Sequence, residues 1–184
     1  QRQMCIRDRD GIIAGIGSFH GKEERDLAGR YVCPGFIDSH LHLESTLVTP
    51  AELVTVASRH GTTTFIVDPH ESANVSGLAG IDYILDQTED VKANVYVMMP
   101  SCVPATAIDD NGCTLTAEDM APYLHNSRIL GLGEVMDSIS VVQGEKSMHD
   151  KLELFEGRIR DGHAPFLEEG DLQAYAMAGI ATDH

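Results

Sequence analysis

Short apolar runs alternate with helical patterns along residues 34–184, and this alternation restricts the possible folds more than any other feature. Six runs have strand character: 36–42, 62–67, 95–99, 129–132, 159–163 and 180–182. Helix signals separate them, as in Thr49-Pro50-Ala51-Glu52, a capping box with Pro at the first helical position. Strands that alternate with helices predict a parallel α/β sheet, either doubly wound or closed into a barrel.

The polar residues at the carboxyl ends of these runs favour the barrel. They are His40 and His42, Asp68, His70 and Glu71, Glu134, His163, and His184. A (β/α)8 barrel builds its site from the ends of several strands at once. An open sheet more typically carries a glycine-rich phosphate turn after its first strand, and the sequence has none there. We therefore expect an α/β fold of the TIM-like barrel type.

The predicted barrel is partial. A complete barrel takes about 250 residues and eight strands, so residues 34–184 are expected to supply strands 1–6 and to stop before strands 7 and 8. Residues 10–33 contain the apolar stretch 11–16, and we interpret them as part of a small N-terminal β domain. Residues 1–9 are polar, lack an initiator Met and show no strand or helix period, so we interpret them as a non-native leader.

Charge and composition argue against several classes of partner. The formal net charge is -16 at pH 7, whereas nucleic-acid binding relies on clustered Lys and Arg to neutralise phosphates. No apolar segment approaches the length of a membrane span, and nothing resembles a signal peptide. The four cysteines are scattered without a C-x-x-C pair. We therefore expect a cytoplasmic protein with free thiols and a small neutral or cationic substrate.

His40 and His42 are two residues apart on a predicted strand, so both imidazoles should project to the same side and meet one metal ion. Nitrogen and oxygen donors without thiolates suit Zn, Mn or Fe(II) and do not distinguish among them. Glu134 has two carboxylate oxygens and can bridge two ions. One or two ions would lower the pKa of a bound water and supply hydroxide at neutral pH, which predicts metal-assisted hydrolysis.

Asp68, His70 and Glu71 are further candidates. Three titratable residues at one strand end indicate a role in a site, although a turn at Pro69 would also explain Asp68. We expect these three residues, together with Glu134, to be the catalytic groups.

Several segments resemble one known family in order and spacing. They are HLHLES at 40–45, DPHE at 68–71, VMMPSCVPA at 97–105, GLGEVMD at 131–137, DGHAP at 161–165 and AGIATDH at 178–184. The segment PGFIDSHLH at 34–42 resembles the opening strand of the amidohydrolase superfamily. Taken together, the segments resemble the bacterial adenine deaminases within that superfamily.

The resemblance implies an enzyme that hydrolyses adenine to hypoxanthine and ammonia, in purine salvage or adenine catabolism, by attack of a metal-activated hydroxide on C6. It implies a dinuclear Mn or Fe centre in which His40 and His42 hold one ion. His163 and His184 would hold the other ion, and Glu134 would bridge the two where many relatives use a carboxylated lysine. A homo-oligomer is implied at full length.

Two alternatives remain at this point. A dihydroorotase- or hydantoinase-like cyclic amidohydrolase would be expected to carry a lysine where this chain has Glu134. A non-catalytic fragment that binds metal without turnover is the other alternative. The family's acidic residue after the eighth strand has no counterpart up to residue 184, so we expect the 184-residue chain alone to be inactive.

Overall fold

The computed structural model describes residues 5–106 and 108–183, which fall into two compact units. The first unit ends at Pro34 and the second begins at Gly35. In the first unit, β1 (Cys5–Arg9) and β2 (Ile12–Gly17) pair antiparallel. Asp10 and Gly11 join these strands with φ angles of 55° and 77°. Such positive values are typical of two-residue hairpin turns, in which Asp-Gly is a preferred sequence.

Strand β1 lies in a segment for which the sequence showed no period. All of its residues are exposed, so it lacks the alternation of apolar and polar side chains that reveals a half-buried strand. Its pairing with β2 is set by the backbone and by the turn, neither of which produces a hydrophobic pattern.

The second unit contains one six-stranded parallel sheet. Its strands are β3 (Phe36–Leu41), β4 (Thr62–Val67), β5 (Asn94–Pro100), β6 (Ile129–Val135), β7 (Ile159–Gly162) and β8 (Thr182–Asp183). They are hydrogen-bonded in chain order. A doubly wound sheet would reverse its strand order at a switch point, whereas a barrel adds each strand beside the previous one. The sheet curls into a half-barrel, which confirms the prediction of a partial TIM-like barrel.

Helices follow most of these strands. Those in the described residues are α1 (Pro50–Ser58), α2 (His70–Ser76), α3 (Leu78–Gln87), α4 (Ala117–Met120), α5 (Ser138–Gln143), α6 (Lys146–Leu154) and α7 (Glu169–Met177), with 3-10 helices at Glu44–Thr46 and Ala121–His125. Helix α1 begins as predicted, because the Thr49 side chain accepts a hydrogen bond from the Glu52 N–H at 3.4 Å. None of these helices is long and apolar enough to cross a bilayer.

Two helices have no counterpart in the sequence prediction. Helices α2 and α5 have seven and six residues, which is too short for an apolar face of helical period to stand out. Helix α6 begins ahead of the predicted stretch 151–158 and ends at Leu154.

The core lies between the sheet and its helices. Strands β5 and β6 are buried along nearly their whole length, as is usual for parallel strands covered on both faces. Phe65, Ile81, Ile84 and Phe155 are among the largest buried side chains, and burial of each contributes about 1.5–3 kcal/mol. This packing holds the carboxyl ends of the strands, where the candidate site residues lie.

Candidate metal centre

His40 lies near the end of β3 and His42 follows the strand directly, and the two imidazoles face the same point. The Nε2 atoms of His40 and His42 lie 3.1 Å apart, and the ring planes meet at 82°. The Nδ1 atom of His42 donates a hydrogen bond to the backbone carbonyl of Asp68 at 2.8 Å. Because a carbonyl oxygen only accepts, this bond places a proton on Nδ1 and, in the neutral ring, leaves a lone pair on Nε2.

Glu134, near the end of β6, completes this first group. Its Oε1 atom lies 2.5 Å from His40 Nε2 and 3.0 Å from His42 Nε2. The hydrogen bond with Glu134 raises the pKa of His42 to about 9. Burial acts to raise the pKa of Glu134, but the hydrogen bond with His42 and the charges of the neighbouring histidines outweigh burial and lower the pKa to about 2. Glu134 is therefore an ionised carboxylate at neutral pH, the form that binds metal.

The backbone that carries Glu134 is held closely. Gly133 packs against the carboxylate of Asp68, and a Cβ atom at this position would collide with Asp68 Oδ2. The Ser101 hydroxyl donates to the carbonyl of Glu134 at 2.7 Å. The buried Lys151 ammonium in turn donates to the carbonyl of Ser101 at 2.7 Å. Asp68 just after β4, Ser101 just after β5 and Lys151 in α6 thus restrict the position of Glu134.

Asp68, His70 and Glu134 form a second group, in which potential ligand atoms lie within 4.8 Å of one another. His70 Nδ1 is 3.6 Å from Asp68 Oδ1 and 3.9 Å from Glu134 Oε2. The centroids of the His42 and His70 rings are 4.5 Å apart. Asp68 is fully buried, and burial raises its pKa. The two groups are contiguous and share Glu134.

The donor set fits a divalent metal ion. The first group combines two imidazole nitrogens and a carboxylate oxygen, again within 4.8 Å of one another. Both carboxylate oxygens of Asp68 are buried without a hydrogen-bond partner among the described residues, and a nearby cation would offset the cost of burying them. Nitrogen and oxygen donors in this combination suit Zn, Mn or Fe(II).

The structure brings five of the predicted site residues together: His40, His42, Asp68, His70 and Glu134. Glu71 is exposed, and its Oε2 atom accepts a hydrogen bond from the Ser45 hydroxyl at 2.7 Å instead. His163 follows β7 and is half-buried, and it belongs to neither group of ligand atoms within the described residues. His184 lies outside the described residues.

Three residues that contact the site or its backbone were not predicted from the sequence: Ser101, which donates to the Glu134 carbonyl, Asp161, whose Oδ2 atom lies 3.5 Å from His40 Nδ1, and Tyr175, whose hydroxyl donates to the Val135 carbonyl. Ser101 and Asp161 lie in the segments 97–105 and 161–165, which carry the family resemblance, so these segments were the available signal. In the sequence, Tyr175 is recognisable only as one of the apolar residues spaced as in a helix. Nothing in that spacing indicates where its hydroxyl lies.

Residues 31–184 match the amidohydrolase family. An adenine deaminase of Desulfitobacterium hafniense (strain Y51) is 61% identical over 185 residues, which cover 99% of this chain and 32% of that protein. An adenine deaminase of Methanoculleus marisnigri is 49% identical, with coverage of 96% and 34%. Adenine deaminase 2 of Carboxydothermus hydrogenoformans is 47% identical, with coverage of 95% and 30%. The chain spans about a third of the length of these relatives.

The family match includes the whole parallel sheet and both groups of candidate metal ligands. The similarity to the three relatives extends over almost the entire chain. The half-barrel, its cluster of half-buried histidines and buried carboxylates, and the sequence match all agree, and we conclude that the chain belongs to the amidohydrolase family.

Proposed function

We propose that this chain is part of an adenine deaminase and that the whole protein hydrolyses adenine to hypoxanthine and ammonia. The observation that carries the proposal is the 61% identity, over 99% of this chain, to a protein named adenine deaminase. The site agrees with this reaction, because it offers an ionised carboxylate at position 134, where a cyclic amidohydrolase would be expected to carry a lysine. The substrate is thus a small molecule.

The amidohydrolase family implies a divalent metal, and His40, His42 and Glu134 would hold it here. We propose Mn or Fe as the metal and a second ion, which His163 and His184 would hold. A divalent ion at this place supplies Lewis acidity and lowers the pKa of water, so that hydroxide is available at neutral pH.

Asp68 and His70 are the residues to which we assign proton transfer. Exchange of the adenine amino group for oxygen requires protons on the purine ring and on the departing amine. The Asp68 carboxylate and the His70 ring lie 3.6 Å apart next to Glu134, so a proton can be held by this pair beside the reacting atoms. Glu71 is given no proton transfer, because its carboxylate is exposed and bonded to Ser45.

The test is ammonia release from adenine by the full-length protein, meaning the protein at the length of its relatives, supplied with Mn²⁺. Glu134→Gln keeps the size of the side chain and removes its charge. We expect kcat/KM to fall by about 100-fold or more, since loss of an outer partner of a metal ligand alone costs about 10–100-fold. Glu153→Gln is the matched control, because Glu153 is exposed on α6.

Each outcome of this test decides one part of the proposal. Opening of a cyclic amide, with adenine untouched, would show that the substrate is wrong and leave only a metal-dependent hydrolase. Full activity of Glu134→Gln would contradict the assignment of Glu134 as a metal ligand. The same assay on the 184-residue chain tests the prediction that it is inactive alone. The homo-oligomer and the cytoplasmic location remain predictions.

A further inference from the structure

The two imidazoles of the first group are held at Nδ1 by different partners. The partner of His42 is the backbone carbonyl of Asp68. The Nδ1 atom of His40 lies 3.5 Å from Oδ2 of Asp161, and the two side chains are only 24% and 16% exposed. Asp161 belongs to β7, which does not pair with β3 in the sheet. This carboxylate therefore joins two strands that the backbone hydrogen bonds leave apart.

The carboxylate of Asp161 is fixed by its other oxygen. Asp161 Oδ1 accepts hydrogen bonds from the Gly162 N–H at 3.0 Å and from the Thr182 hydroxyl. Thr182 lies in β8, next to β7 in the sheet. Because two donors anchor Oδ1, the carboxylate cannot rotate without losing them, and Oδ2 stays directed at His40.

We propose that Asp161 is a positioning residue of the metal centre, whose carboxylate keeps the His40 proton on Nδ1 and turns Nε2 toward Glu134 and His42. A metal-binding histidine commonly donates its second ring N–H to a carboxylate or carbonyl, which fixes its tautomer and ring orientation. Asp161 does for His40 what the Asp68 carbonyl does for His42. The inference rests on the proposed function, in that His40 binds the metal.

An amide at position 161 would favour the other tautomer of His40, with the proton on Nε2 instead of Nδ1. The Gly162 N–H and the Thr182 hydroxyl both require an acceptor, so the oxygen of an asparagine would stay with them. Its NH₂ group would then face His40 Nδ1 and disfavour a proton there. The neutral ring would carry its proton on Nε2, the atom that faces Glu134 and His42. Asp161→Asn should therefore weaken metal binding with little change in side-chain volume.

The experiment measures bound Mn²⁺ in the full-length protein during titration with EDTA, by elemental analysis of the protein after gel filtration. For Asp161→Asn we expect Mn²⁺ affinity to fall by about 10–100-fold. Asp171→Asn makes the same chemical change at an exposed position of α7 and should leave the affinity unchanged. If Asp161→Asn binds Mn²⁺ as tightly as the wild type does, the proposal is overturned.

A double-mutant cycle separates positioning from a general structural role. If Asp161 acts through His40, then adding Asp161→Asn to His40→Ala should cause no further loss of Mn²⁺ affinity. If Asp161→Asn lowers the Mn²⁺ affinity equally in the wild type and in His40→Ala, the proposal is overturned. Should Asp161→Asn fail to fold, Thr182→Val takes its place in the cycle, because it removes only the hydroxyl that anchors the carboxylate, and the same criteria apply with a smaller expected loss.

Failure of this inference differs from failure of the proposed function. Unchanged Mn²⁺ affinity in His40→Ala would contradict the assignment of the metal ligand itself. Adenine takes no part in the titration, so an error in the substrate leaves the measurement valid.

Discussion

The hydroxyl of Tyr175 accepts a hydrogen bond from the backbone N–H of His163 at 3.2 Å. The same hydroxyl donates to the carbonyl of Val135 at 2.5 Å. Val135 follows Glu134 at the end of β6, and His163 follows the end of β7. One buried phenol from α7 thus links the ends of two strands that carry predicted metal ligands.

Tyr175→Phe removes this link and keeps the ring. We expect the free energy of unfolding to fall by about 1–3 kcal/mol, because a backbone N–H and a carbonyl lose their partner. Urea unfolding of the full-length protein measures the change. Tyr83→Phe is the control, since Tyr83 is 48% exposed, and a change below about 0.5 kcal/mol is expected there. Equal losses in the two variants would contradict a special role for the Tyr175 hydroxyl.

Glu44 caps helix α2 from a neighbouring element. Its Oε1 atom accepts hydrogen bonds from the N–H groups of Glu71 and Ser72 at 3.1 and 3.2 Å, whereas Pro69 at the N-cap offers no side-chain bond. We expect Glu44→Ala to cost about 0.5–2 kcal/mol, as for loss of an N-cap. Glu44→Gln keeps a carbonyl acceptor and should cost less.

Amide hydrogen exchange over residues 71–76 distinguishes these two variants. Exchange should become faster in Glu44→Ala than in Glu44→Gln, since only the alanine variant leaves the first turn of α2 without an acceptor. Wild-type exchange rates in both variants would show that α2 is stabilised by its packing alone.

Gly133 is the position at which an added methyl group should harm the site most directly. A Cβ atom there would meet the Asp68 carboxylate, so Gly133→Ala should displace Asp68 and destabilise the protein by about 1–3 kcal/mol. Gly170→Ala, in α7, adds its Cβ in open space and should stabilise by about 0.5–1 kcal/mol. Thermal unfolding and ammonia release from adenine measure both effects. Full activity of Gly133→Ala would contradict the close packing of Asp68 against β6.

Asp119 should make stability depend on pH through a capping box. The side-chain and backbone hydrogen bonds from Thr116 lower its pKa below the ordinary 3.8. The folded state therefore binds this proton less readily than the unfolded state, and the stabilisation is complete above 3.8 and lost as pH falls through the lowered pKa. The stability difference between wild type and Asp119→Asn should shrink on acidification. Asp171→Asn, which makes the same change at an exposed position of α7, is the control. A stability difference between wild type and Asp119→Asn that does not change with pH would contradict this prediction.

Much of the fold could be predicted from local patterns. The strands of the parallel sheet were located because each is a short apolar run, and α1 because Thr49 and Pro50 mark its start. Helix α2 was not predicted from the sequence, because its first turn is capped by Glu44. This residue precedes the two N–H groups that it binds by 27 and 28 positions in the chain. Strand β1 was not predicted either, because it is exposed on both faces and so shows no alternation of apolar and polar residues.

The sequence by itself determined that His40 and His42 would lie together, because a spacing of two residues on an extended chain is a local property. Only the tertiary structure decided that Asp68 and His70 meet Glu134, that Glu71 turns to Ser45 and that Asp161 reaches His40. Those contacts join residues from different strands. They depend on the register and curl of the sheet, which result from many weak packing interactions spread over the whole core.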